Sequence, residues 1–66
     1  MRPKYPDVKV KLAGEDGNAF AIMARVTGAM RKAGIDKAER DAFTFEAMAG
    51  DYDNLLRVCM KWVEVE

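Results

Sequence analysis

The segment Gly14-Glu15-Asp16-Gly17-Asn18 sets two glycines just before a helix-periodic apolar stretch, the general setting in which backbone amides hold a phosphate. Glu15 and Asp16 would repel that phosphate, and the glycine spacing fits neither a Walker loop nor a dinucleotide fingerprint. A capped turn is therefore the expected role. The same segment, and Asp51-Tyr52-Asp53-Asn54 further on, gather oxygen ligands. A hard cation such as Ca²⁺ takes about six to eight oxygens, and neither cluster completes a binding loop. Acids at a helix start are explained equally well by the helix dipole.

Cys59 is the one strong nucleophile. It falls on an apolar helical stripe with no histidine to activate it, so burial is the expectation. The chain has no histidine, serine or glutamine, which removes Ser-His triads, histidine acid–base chemistry and histidine metal sites. One cysteine forms no internal disulfide and no Cys-rich zinc site. A body of 66 residues scarcely provides the cleft that a pair of catalytic carboxylates needs. The expectation is a non-enzymatic protein without catalytic residues, metal or cofactor.

Such a length holds one domain, here divided into an extended leader (1–7, with Pro3 and Pro6) and a globular part (8–66). Val8, Val10 and Leu12 alternate with Lys9 and Lys11, the period of a half-buried strand. Asn18 is placed to cap a helix running to about Ala33 and ended by Gly34. Ala19, Ile22, Met23, Val26, Met30 and Ala33 form its apolar stripe, with Phe20 at the edge. Asp36 opens a second helix, with Glu39 as the far member of a capping-box-like pair. Ala38, Ala42, Phe45 and Ala49 read as its inner face, which points Phe43 elsewhere. Gly50 is expected to end it in the left-handed conformation, and Asp51 to start a third helix. Tyr52, Leu55, Leu56, Cys59 and Val63 form the third stripe.

The closing Trp62-Val63-Glu64-Val65-Glu66 reads either as a short strand or as a last helical turn. A strand paired with residues 8–12 is favoured, because it sets glutamates against lysines and matches the apolar faces. The fold class is then α+β, a three-helix small domain with a two-stranded sheet made by the N- and C-terminal strands, in the order β-α-α-α-β.

Charge is segregated along the chain. Residues 1–33 carry seven basic and three acidic side chains, whereas residues 34–66 carry four and eight, so a neutral protein has a +4 and a −4 half. Lys9 and Lys11 share a strand face, and Arg25, Arg31 and Lys32 a helix face, which makes them the candidate nucleic-acid surface. No aromatic side chains interleave with them. Ala21, Ala24 and Gly28 form a smooth strip on the same helix, where glycine costs about 1 kcal/mol relative to alanine. That strip suits either a close neighbour or a plain solvent face. With Phe43 and Trp62 it makes the candidate protein interface, and Val58 and Met60 are further apolar residues that a small core would leave exposed.

The blocks GEDGNAFAI, RV, AM and AGI, followed by GDYDNLLRVCMKWV, resemble a family of small uncharacterised proteins encoded in bacterial and phage genomes. The resemblance spans residues 8–66 and implies a stand-alone small domain of bacterial or phage origin; it implies no activity and no site residues. No apolar run is long enough to cross a bilayer, and the first residues lack the apolar core of a signal peptide, so a cytoplasmic location is expected. The leading functional expectation is a protein-interaction module, self-associating as a homodimer. The alternative is a small nucleic-acid-binding accessory protein using the basic face.

Overall fold

Alternation of valine with lysine does produce a strand, and it starts earlier than the alternation itself. The computed structural model describes residues 2–66; Met1 of the expected leader lies outside them. Strand β1 spans Tyr5–Val10, so the second half of the leader belongs to the sheet. The Lys4 amide donates to the Lys61 carbonyl at 2.8 Å, and the Tyr5 ring lies 6.1 Å from that of Trp62. Pro6 is tolerated because an edge strand need not donate there.

Helix α1 spans Ala19–Lys32 and starts where Asn18 caps it, its side chain accepting from the amides of Phe20 and Ala21. It ends in a Schellman turn: Ile35 N–H donates to Met30 O and Gly34 N–H to Arg31 O. Gly34 carries φ +84°, which an L side chain adopts only with strain. Ile22, Met23, Val26 and Met30 are buried, whereas Ala33, at the end of the expected stripe, is exposed.

Helix α2 spans Lys37–Ala47, capped by Asp36, and its inner face corrects the sequence reading. Phe43 is fully buried with Ala47 behind it, while Phe45 is 80% exposed and Ala38, Ala42 and Ala49 face solvent. Phenylalanines two apart on a helix point to nearly opposite sides, so only one can enter the core. The alanine stripe carries too little apolar area to decide which. Glu39, Arg40 and Glu46 flank Phe43 half-buried.

Gly50 also differs from expectation. Positive φ occurs only at Gly14 and Gly34 among the described residues. What Gly50 supplies is room: a Cβ there would lie 2.9 Å from Cβ of Asn54, whose amide side chain donates to the Glu46 carbonyl at 3.1 Å.

Helix α3 spans Tyr52–Trp62, capped by Asp51, and buries Leu55, Val58, Cys59 and Trp62. Val58 and Trp62, expected among the exposed apolar residues, are 5% and 6% exposed and belong to the core. Tyr52, assigned to the inner stripe, is 46% exposed, and its hydroxyl donates to the Gly17 carbonyl at 2.7 Å.

The chain then turns extended, and β2 spans Val63–Val65. It lies parallel to β1, with Lys9 opposite Glu64 and Val10 opposite Val65 as the charge pattern required, and with an irregularity between Tyr5 and Lys9. Parallel strands need a crossover, here supplied by all three helices, so the order is β-α-α-α-β. Val8, Val10 and Val63 complete a core that, among the described residues, contains no buried polar or charged one.

Candidate functional site

The groups of residues 14–18 find their partners inside the protein. Asp16 accepts from the Asn18 amide, Glu15 pairs with Arg25 at 3.4 Å, and the Asn18 side chain occupies the first amides of α1. Among the described residues, no group of three acidic or thiol side chains converges to hold a metal ion. Cys59 is fully buried, and removal from water pushes its thiol up to about 11, so it is protonated and a poor nucleophile at neutral pH.

The basic side chains behave differently. Lys9 on β1 and Lys11, which the strand's end at Val10 leaves just beyond it, line a groove of about 520 Å³ with Arg25 and Lys32 of α1. On the other flank of α1, Arg31 joins Lys37 and Arg40 of α2 around a second groove of about 350 Å³. Ala24 and Gly28 border both grooves, and a Cβ at Gly28 would meet nothing within 4 Å. The glycine therefore accommodates no close neighbour within the chain; it keeps the ridge between the grooves low. Ala21, one turn before, is half-buried and lines neither groove.

All five residues of the candidate nucleic-acid face are thus brought to one side of the molecule. Lys37 and Arg40 were missed because they sit in the acidic half of the sequence; their spacing of three on a helix was the available signal. The grooves hold seven of the eleven basic side chains and two of the eleven acidic ones, a net of +5, and the remainder carries −5. The two acids, Glu15 and Asp41, are each paired with a groove cation, Asp41 with Lys37 at 2.7 Å. Nη1 of Arg25 and Nε of Arg40 have no hydrogen-bond acceptor among the described residues.

The candidate protein interface fares otherwise. Phe43 and Trp62 are interior residues and cannot present a surface, because each fills the gap where α2, α3 and β1 meet. An apolar patch does exist elsewhere. Phe20 and Met48, 70% and 58% exposed, stand with Tyr52 around a cavity of about 240 Å³. Hydrophobic periodicity missed it, since these residues come from the edges of three elements.

Glu46 was also unremarked, and Glu39 was expected only as a capping residue. Glu39 accepts from Lys4 and from the Tyr5 hydroxyl, which ties α2 to β1 and diverts its carboxylate from the expected capping box. Glu46 accepts from Lys61 at 2.7 Å and from the Trp62 indole at 3.2 Å. These hydrogen bonds hold both carboxyls below the usual glutamate range, chiefly through Lys4 for Glu39 and Lys61 for Glu46. A carboxyl lowered by folding stabilises the native state above its unfolded pKa of about 4.3, and that contribution is lost as pH falls through the lowered values. The urea midpoint should therefore drop more steeply below about pH 4 in the wild type than in Glu39→Gln/Glu46→Gln. Parallel acid losses in the two proteins would refute this assignment.

No protein-family model matches the chain, and no curated protein or solved structure does either.

Proposed function

We propose that the protein is a small non-enzymatic binding module whose working surface is the basic face around Ala24 and Gly28, and whose partner is an anionic macromolecule. One observation carries this reading. A chain of zero net charge gathers seven cations, from β1 and the loop after it, α1 and α2, around two grooves and leaves the rest of the molecule acidic. Exposed cations concentrated on one side draw a polyanion to that side and orient it before contact.

The test is binding to polyanions at about 50 mM salt, where surface electrostatics are little screened. Arg25→Gln/Lys32→Gln should weaken binding of heparin, polyglutamate or DNA by tenfold or more. Arg57→Gln/Lys61→Gln removes the same charge elsewhere and should change it less than about threefold. Equal losses in both variants would show that net charge, rather than this face, is responsible.

Docking of another protein, or of a second copy, is the second reading. Its support is the exposed patch of Phe20, Met48 and Tyr52, since large apolar side chains gathered on a surface mark interaction sites. Light scattering across a concentration series at low and high salt decides it for self-association: a salt-resistant dimer lost in Phe20→Ser supports this reading, and a monomer throughout opposes it. A cytoplasmic setting suits either reading. Among the described residues no helix is long and apolar enough to cross a membrane, and the single thiol is buried.

A further inference from the structure

From the composition of the grooves we infer that the anionic partner is a nucleic-acid duplex, held by its phosphate backbone without reading of the bases. The inference rests on the basic-face reading and narrows it. Its first ground is what the grooves lack. None of the six aromatic side chains lines either groove, and the large exposed apolar side chains Phe20, Phe45, Met48, Tyr52 and Met60 all lie outside them. Proteins that hold single strands stack bases on aromatic rings, and none is offered here. Peptides commonly add apolar anchors to their charge contacts, and the residues between the cations here are small ones, Ala24, Gly28 and Ala29, which offer no such pocket. A duplex shields its bases and presents only charge and shape, which is the ligand such a face can serve.

The second ground is donor geometry. Three of the seven cations are arginines, whose planar guanidinium matches phosphate oxygens in pairs. Arg25 lines one groove, and Arg31 and Arg40 line the other. The third ground is scale. At 14 residues α1 is about 21 Å long, and each strand of a duplex offers one phosphate per about 3.4 Å of axis. Cations on both flanks of such a helix can therefore meet several phosphates at once, while the low ridge at Gly28 lets the backbone approach.

The experiment compares a 20-base-pair duplex of arbitrary sequence, a single strand of equal length, and polyglutamate, by fluorescence anisotropy across a salt series. The expected result is duplex binding in the micromolar range or weaker, varying less than threefold with sequence and exceeding the single strand at least fivefold. Affinity should fall roughly 10²–10³-fold between about 50 and 200 mM salt, as expected for about five phosphates engaged. Arg25→Gln and Arg40→Gln should each flatten the salt slope by about one unit while circular dichroism stays native. Single-strand binding as tight as the duplex overturns the inference. So does polyglutamate binding tighter than both, which would leave the basic face standing with a protein partner. If none of the three binds, the inference and the proposed function fall together.

Discussion

Phe43→Ala removes about 3–5 kcal/mol of stability, and Phe45→Ala less than about 0.5 kcal/mol. A domain of this size has only about 3–10 kcal/mol in total, so the first variant is expected to lose a large share of its stability and the second to be indistinguishable from wild type. The difference follows from position. The Phe43 ring is fully buried and meets Trp62 edge-on, with centroids 6.0 Å apart and planes at 77°. Truncation would leave a void in the close-packed core. Phe45, two residues on, is 80% exposed and loses little by becoming alanine. Urea titration of both variants decides the matter, and a larger cost for Phe45→Ala would mean that α2 is rotated from the orientation described here.

Trp62 produces the second large effect. It ends α3, lies beside both Tyr5 and Phe43, and receives the Lys4 ammonium 4.7 Å from the centre of its ring. Its indole N–H donates to Glu46. Trp62→Ala should cost about 3–5 kcal/mol, as other buried aromatic truncations do. Trp62→Phe keeps an aromatic ring but loses the indole hydrogen bond, at a cost on the order of 1 kcal/mol. This graded pair separates a core role from an interface role. If Trp62 served a partner instead, both variants would retain their urea midpoints and lose binding.

Much of the architecture is legible in the sequence because its determinants are local. Asn18, Asp36 and Asp51 cap the three helices as read, and Gly34 closes the first of them. The final valines form a strand opposite β1, with Lys9 facing Glu64. The orientation of α2 is not legible. Its polar residues find partners distant in sequence, Glu39 at β1 and Glu46 on α3, and these long-range pairs help set which face of α2 turns inward. Gly50 misled for a related reason, since its requirement for room comes from Asn54 rather than from its own backbone. For the candidate site, five cations were visible as two short runs. That they share one surface with Lys37 and Arg40 depends on α1 packing between β1 and α2, which no spacing rule contains.

The parallel sheet has a kinetic meaning. Its partners Tyr5 and Val63 stand at the two ends of the fold, with every helix between them. Bringing such distant residues together costs roughly 3–4 kcal/mol of chain entropy, to be recovered only once the intervening helices have shortened the path. Strand pairing is then expected late in folding, with low φ-values for Val63 and Val65 as the measurable sign. Interactions of that kind act mainly on the rate of unfolding. The three residues of β2 therefore govern how long the native molecule lasts far more than how quickly it is reached.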